Sequence, residues 1–557
     1  MMNKSKLIYV SHFLSAWGDR MWNFAVAIFL MDLASESLLL PAVFGLTLSG
    51  SVLMFGPLVG EWIDRSPRLR AAQTSLITQN STVAACAIIL LVQKIAHIES
   101  NAFLLFVKIS AVFLGAIARL ASVASSIIVQ KDWIVVIAGG DETFLTSLNA
   151  MLRRIDLCTK FLAPLVCGQL ITLVSLTFGC AFVAGWNLVS MFVEYILLRI
   201  VYDHTPALAL KVKKSRKSKR SDDASNNPML VDSPDADVGE DCTVKDELPL
   251  QEIDNVSKET LVESPTANKE SDKNDSAKNE NNQQSQTSIW RKIFSFLLII
   301  PKGWKQYMSQ SVAKAGIGLA CLYMTVLGLD AITISYAYNQ CFSELLVGIL
   351  LAVSGLTGIV ATFIFTPLSA KIGIIKAGLL SSVAQILTLI PCVMSVFAPG
   401  SPFFLLPQNK ALETTATPTF TPYNTIDENI TISNNHSSIN DGVFLKCMDG
   451  IDPPPSYLSL TMLTAGIVLA RIGLWGFDLA VTQLFQQHVP EQERGVVGGV
   501  QSSLNYLMDL MHFILVIALP QPDKFGILVI LSAIFVTAGH FLFALFAHKE
   551  LGGFLCC

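Results

Sequence analysis

Asp19 and Asn23 stand four residues apart in an apolar run, with Gly18 before the aspartate and Arg20 after it. A spacing of four puts both side chains on one helix face. A charge at membrane depth costs about 2.5–3.5 kcal/mol to insert, so such a residue faces a bundle interior or a water-filled cavity. Asp19 and Asn23 therefore mark a candidate ion path; the alternative is a buried Asp19–Arg20 ion pair that only packs helices. Other polar residues within apolar runs are few. Gln79, Asn187 and Glu194 lie in the first half of the chain, and Asp330, Arg471, Asp478, Asp509 and His512 in the second, with Lys108 and Arg119 as further cations. Asn187 and Glu194 are seven apart, as are Arg471 and Asp478, so each pair shares a face two turns apart. Carboxylate and amide oxygens suit a hard cation such as Ca2+. The imidazole of His512 suits a first-row transition metal. A hydrogen-bonded core histidine is the other reading of His512, and a helix–helix hydrogen bond that of a lone amide.

These residues need helices to carry them. The chain has 557 residues, 52% of them hydrophobic and only 15% charged. Its longest apolar runs reach the roughly 18 residues that read as membrane spans. Twelve spans are predicted, near 8–33, 38–61, 73–97, 102–130, 152–177, 178–202, 309–336, 342–368, 374–398, 457–486, 496–521 and 525–548. Residues 203–290 are rich in Ser, Asn, Lys, Asp and Glu, cannot bury a core and are expected to be disordered. The fold class expected is an all-α membrane protein of two six-helix halves, 1–202 and 291–557, joined by that linker. Residues 399–456 form a second polar interruption. Transporters with paired halves bind substrate near the midplane between them; a channel or a non-transporting receptor or scaffold is the alternative.

Lys and Arg placement orients the chain. Arg65, Arg68 and Arg70, Arg153 and Arg154, the basic run from Lys211 to Arg220, and Lys371 and Lys376 all fall on one side if both termini are cytosolic. The 399–456 loop is then outside, with sequons at Asn429 and Asn435 as candidate glycosylation sites. Cys341 and Cys447 would also be outside, which allows a disulfide that spacing alone does not decide. The 11 cysteines include no CxxC, and no P-loop, nucleophile elbow or HExxH occurs, so neither an ATP-driven pump nor an enzyme is expected. A net charge of −4 gives no sign of a nucleic-acid partner.

Gly60-Glu61-Trp62-Ile63-Asp64-Arg65-Ser66-Pro67-Arg68 resembles the loop motif after the second span of the major facilitator superfamily. Its charges can latch neighbouring helix ends in one state and release them in another. Trp17-Gly18-Asp19-Arg20-Met21-Trp22, Asp132-Trp133-Ile134-Val135-Val136, Arg153-Arg154-Ile155-Asp156 and Gly185-Trp186-Asn187-Leu188 are similar to ferroportin sequences. So are Leu322-Tyr323-Met324-Thr325, Ala470-Arg471-Ile472-Gly473 and Glu493-Arg494-Gly495. The resemblance covers every predicted span and lapses only in the two polar loops.

The ferroportin resemblance implies a plasma-membrane exporter of Fe2+, with Co2+ also carried, working by alternating access in exchange for protons. It needs no resident cofactor and is expected to be a monomer in the lipid membrane. The family has one transported-metal site per half. Asp19 matches the first, but its partner histidine is Asn23 here. Asp330 and His512 flank the second, but its cysteine is Ala331 here. An activating Ca2+ site is implied at Asp19, Gln79, Asn187 and Glu194. A cytosolic gate is implied at Asp64, Arg68, Asp132, Arg153, Asp478 and Arg494, and Asp156 and Arg471 join it as candidates. Vertebrate members bind the peptide hormone hepcidin through the cysteine replaced by Ala331, helped by an aromatic hydroxyl absent from Phe44. Weak or no hepcidin binding is expected.

Overall fold

The computed structural model describes residues 4–33, 39–96, 100–210, 299–329, 331–403, 455–519 and 521–552. The first half holds α1 (Lys4–Leu33), α2 (Leu39–Arg65), α3 (Arg68–Ala96) and α4 (Asn101–Ser126). A π-helical stretch, Ile127–Trp133, joins α4 to the short α5 (Ile134–Ala138), and α6 (Glu142–Leu173) and α7 (Leu176–Asp203) follow. The second half holds α8 (Ile299–Met308), α9 (Ala313–Cys321), α10 (Ala331–Asn339), α11 (Glu344–Ile372) and α12 (Ile374–Ser395). It ends with α13 (Leu458–His488), α14 (Arg494–Ala518) and α15 (Phe525–Glu550). No strand occurs among the described residues. Lipid offers the backbone no partners, so apolar runs of this length satisfy their N–H and C=O groups within one helix.

Among the described residues, ten helical segments are long and apolar enough to cross a membrane. The two other predicted spans differ from these in polarity and in continuity. Helix α1 has 30 residues, about 45 Å at 1.5 Å per residue, but carries Asp19, Arg20 and Asp32. The seventh predicted span is two short helices, α9 and α10, separated by an irregular stretch from Leu322. Discontinuous helices of this kind expose backbone carbonyls where transporters bind ions. The fifth predicted span begins ten residues earlier than expected, at Glu142. Asp141 caps it: its carboxylate accepts from Thr143 N at 2.9 Å, Thr143 Oγ1 at 2.7 Å and Phe144 N at 3.0 Å. The Phe144 amide foremost, with the Thr143 hydroxyl, holds this exposed carboxyl below its usual pKa of 3.8.

The linker also starts later than its composition predicts. A turn at Pro206–Leu208 packs back on the first half with Leu208 buried. The rest of the linker, and most of the 399–456 loop with Asn429, Asn435 and Cys447, lie outside the described residues. Cys341 is disulfide-bonded.

Within the first half α1 packs on α6 and α7, and α3 on α4 and α7; within the second α13 packs on α11 and α12, and α9 on α15. Each half has its own apolar core, with Met21, Trp22, Phe29 and Cys86 in the first and Phe477, Phe543 and Phe546 in the second. Phe113, Phe192 and Ile517 are instead 65%, 67% and 76% exposed, as lipid-facing side chains are.

Among the described residues the halves meet most extensively at two helix pairs, α2 with α14 and α6 with α11. Gly56 and Gly60 on α2 meet Gly495 and Gly499 on α14, a small-xxx-small pair on each helix. A Cβ built on Gly60 falls against the Gly495 carbonyl, and one built on Gly499 against the Gly56 carbonyl. Ser503 extends the seam by donating to Val52 O at 2.9 Å. On the other pair, Phe161 of α6 seats on Gly355 of α11, and Arg154 donates to Thr362 Oγ1 at 2.8 Å.

Candidate functional site

Between the halves lies a cavity of about 570 Å³. Five carboxylates line it, Asp19, Asp156, Glu194, Asp478 and Asp509, with four fixed cations, Arg20, Arg119, Lys131 and Arg153. Asp19 is brought there by α1, whose polar face turns inward because no lipid could solvate it. One of its carboxylate oxygens accepts from Gln79 Nε2 at 3.5 Å and Ser122 Oγ at 3.3 Å. Among the described residues Asp19 makes no ion pair with Arg20, so the packing-pair reading of that dipeptide does not describe this structure.

Asn23 has both ends of its amide engaged. Its Nδ2 donates to Asp19 O at 2.7 Å, one turn back. Its Oδ1 accepts from the Arg119 guanidinium at 2.9 Å. The side chain expected beside Asp19 as a metal contact is thus the anchor of a cation from α4.

The other oxygens of the expected Ca2+ set converge on the same place. Gln79 and Glu194 line the cavity, and Gln79 Oε1 and Glu194 Oε1 are buried with no hydrogen-bond partner. Asn187 donates to Val183 O at 2.8 Å, leaving its Oδ1 turned toward Gly18, where an added Cβ would lie 3.4 Å away. Orphaned buried acceptors are uncommon, and both line the cavity with Asp19.

The second-half metal set is held elsewhere. His512 is buried on α14, and its Nε2 has no partner. It lines a separate small void with Met324, Val326 and Ser532, against the irregular stretch after α9. Asp330 lies outside the described residues, as does the Ala331 side chain. Among the described residues no three His, Cys, Asp or Glu side chains are grouped to hold a metal ion. Phe44 is buried in the first-half core, its ring against Gly115.

Most of the gate candidates gather at one end of the bundle, the end that carries Arg65, Arg68 and Arg70. Arg68, 3% exposed, donates to both Asp132 oxygens at 2.7 and 3.1 Å and to Leu210 O at 3.1 Å. It also pairs with Glu491 of the second half at 2.7 Å. Arg494 reaches Asp132 from the second half at 3.4 Å. Asp64 accepts from Gly495 N and Val496 N. Arg153 pairs with Asp478 across the halves and lies 3.8 Å from Asp156, which meets His12 Nε2 at 2.9 Å. Arg471 sits apart, donating to Ser354 within the second half.

Sequence reasoning missed an amide seam beside these charges. Asn149 and Gln486 exchange hydrogen bonds at 2.6 and 3.0 Å, and Thr146 donates to Gln483 at 2.8 Å, all between the halves. The signal was there: Thr146, Asn149, Arg153 and Asp156 follow at steps of three and four, a polar stripe on one face of α6.

Comparisons with known proteins agree on one family. The Ferroportin1 (FPN1) family model matches residues 3–536. The chain is 41% identical to the ferroportin of Canis lupus familiaris, over 98% of this chain and 91% of that protein. Ferroportin of Homo sapiens matches equally, at 41% over 98% and 91%. Among solved structures, a bacterial homologue of iron transporter ferroportin in an outward-facing state aligns with a TM-score of 0.67 at 20% identity, over 98% of this chain and 99% of that one. Its inward-facing form aligns with a TM-score of 0.52 at 18% identity, over the same shares. These last two speak for the fold alone.

Proposed function

The chain belongs to the ferroportin family, a family of iron transporters and not of enzymes, and on that premise we propose that it exports Fe2+ across the plasma membrane by alternating access. The observation that carries this is a charged cavity between two helical halves, closed at one end by pairs that link them. Such pairs can break only if the halves move apart there, which exposes the cavity to the other side. A receptor or scaffold needs no latch of this kind.

Iron enters as substrate, and Asp19 and His512 are its main contacts in this reading, with Asp330 and Asn23 as weaker neighbours. Carboxylate and imidazole must be deprotonated to bind a metal, so proton release on loading and uptake on unloading follow from the donors. His512 also suits Co2+. Asp19, Gln79, Asn187 and Glu194 fit a Ca2+ ion, since two of their buried oxygens have no other partner. Bound there, Ca2+ would supply positive charge among oxygens that otherwise face one another. The protein is read as a monomer with both termini cytosolic.

A second reading, a carrier preferring another divalent metal, draws support from the engagement of Asn23 with Arg119. Radiolabelled flux into proteoliposomes decides between them. Fe2+ uptake above Co2+, Zn2+ and Mn2+ is expected, lost in Asp19→Asn; absence of any metal flux by well-folded protein would overturn transport itself.

A further inference from the structure

Arg119 is the one fixed cation of the cavity that is held by a neutral group at the Asp19 end. Its guanidinium donates to Asn23 Oδ1 at 2.9 Å, and Asn23 in turn donates to the backbone of Asp19 at 2.7 Å. Among the described residues no carboxylate lies within ion-pair distance of it, in contrast to Arg153, which meets both Asp478 and Asp156. Yet it is in electrostatic reach of Asp19 and of Asp509 on the opposite half. An amide fixes the position of a cation without cancelling its charge, so Arg119 still acts on those carboxylates, with Tyr506 also in reach. Arg119 is only partly exposed, and screening by salt is weaker there than at a surface.

We propose that Arg119 is a tethered counter-cation that competes with divalent metal ions for Asp19. In the metal-free cavity the guanidinium partly neutralises Asp19 and Asp509. A dication arriving at Asp19 meets like charge, and binds only as Arg119 moves away or gives up that interaction. The residue therefore weakens the first-half site for every divalent ion, hard or soft, because it acts through charge and not through ligand type. It also offsets charge on Asp19 in the empty carrier, which favours the return of the metal-free protein. Asn23 is the positioning residue: it holds the guanidinium at the carboxylate without forming a salt bridge.

This inference rests on the reading of the cavity as a metal site, and the test separates the two. Calorimetric titration of the purified full-length protein with Co2+ and with Ca2+ is carried out for wild type, Arg119→Gln, Arg119→Lys and Asn23→Ala. Removing a unit charge beside a partly buried carboxylate is expected to tighten both ions by about tenfold or more in Arg119→Gln. Asn23→Ala removes a weak metal neighbour together with the tether, so it serves as a background: Asn23→Ala/Arg119→Gln is expected to bind both ions more tightly than Asn23→Ala alone. Arg119→Lys stays near wild type. Adding Asp19→Asn to Arg119→Gln removes the gain. Unchanged affinity in Arg119→Gln, a gain that survives Asp19→Asn, or a gain for one ion alone overturns the proposal. If Arg119→Gln does not yield folded protein, Arg119→Met decides, and an affinity for both ions equal to wild type there overturns it. No binding of either ion by folded wild type and variants alike would remove the metal-site reading and the inference with it.

Discussion

The carboxylate of Asp64 accepts the backbone N–H of Gly495 at 2.7 Å and that of Val496 at 2.9 Å. An acid from the first half thereby caps the first turn of α14 in the second half, which has no side-chain cap of its own from Glu493. Those amides have no intrahelical partner, and the helix dipole favours negative charge there. The cap exists only while the halves touch at this end. Losing it costs about 0.5–2 kcal/mol, borne by the closed state alone. In Asp64→Ala, cysteine probes placed in the cavity should therefore react severalfold faster from the cytosolic side. Unaltered probe accessibility with unaltered transport would reject the latch role of Asp64.

Arg68 and Arg494 both meet Asp132, yet their removal should differ. Arg68 and Asp132 belong to the same half, so their bidentate pair persists when the gate opens, while the pair of Arg68 with Glu491 across the halves does not. Arg494 comes from the other half, and its contact does not. Arg68→Ala leaves a buried carboxylate without its main partner, at about 3–5 kcal/mol, and should lower the Tm of the purified protein. Arg494→Ala, at a longer and more exposed pair, removes about 1 kcal/mol or less. It should leave Tm near wild type while shifting the halves toward the state open to the cytosol. Equal Tm losses in the two variants would contradict this division.

The α2–α14 seam predicts a sharp effect from one methyl group. Gly60→Ala puts Cβ against the Gly495 carbonyl, which is backbone and cannot rotate aside. Gly185→Ala is the control, since nothing lies within 4 Å of its added Cβ. Forced overpacking costs about 1–3 kcal/mol, here charged to the closed gate. Transport and cytosolic-side probe accessibility should change in Gly60→Ala and stay constant in Gly185→Ala. A seam tolerant of Gly60→Ala would mean that the backbones do not approach this closely in the membrane.

Much of this architecture could be read from residues alone. Hydropathy located the spans, because lipid forces an apolar run of that length into a helix. The Asp64–Arg68 motif pointed to a gate, because charges at a helix end must be matched by something. Less legible was what depends on the register between distant helices. Asn23 reads as an oxygen donor in sequence; only the approach of α4 turns its oxygen toward Arg119. Gly56, Gly60, Gly495 and Gly499 read as ordinary small residues until two helices cross at them. In the seventh span Gly328, just before Asp330, marks a place where the helix can break. It does not show that the irregular stretch starts as early as Leu322; there Thr333 Oγ1, donating to Val326 O at 2.6 Å, serves the broken backbone in place of a helical bond.

Hormone response should follow the two substitutions named above. A thiol at position 331 would be a metal ligand, and Ala331 supplies no donor atom. Phe44 has no hydroxyl, and its ring is buried against Gly115. Hepcidin added to cells expressing the wild type should leave surface protein and iron efflux unchanged, while Ala331→Cys should gain at least partial clearance. Full clearance of the wild type, at hormone levels that clear a vertebrate ferroportin, would refute it.

His512 offers the clearest separation of a metal contact from a packing residue. Its Nε2 is buried and unpartnered, beside Met324 and the irregular stretch after α9. His540 is a useful contrast in the same half: its Nε2 meets Gln385 Oε1 at 3.0 Å and its ring stacks edge-on to Phe477 at 4.6 Å, as a core histidine should. Imidazole favours first-row transition metals over Ca2+, which takes oxygen. Replacing His512 by Ala should thus reduce Fe2+ and Co2+ flux by tenfold or more, on the order of 1.4 kcal/mol of lost binding, with Ca2+ binding kept. His540→Ala should instead lower Tm and depress binding of all ions only as far as folded protein is lost. The measurement is metal flux and Ca2+ titration on the same preparations. An equal loss for Fe2+, Co2+ and Ca2+ in His512→Ala, matching the pattern of His540→Ala, would make His512 structural and move the second-half metal contact elsewhere.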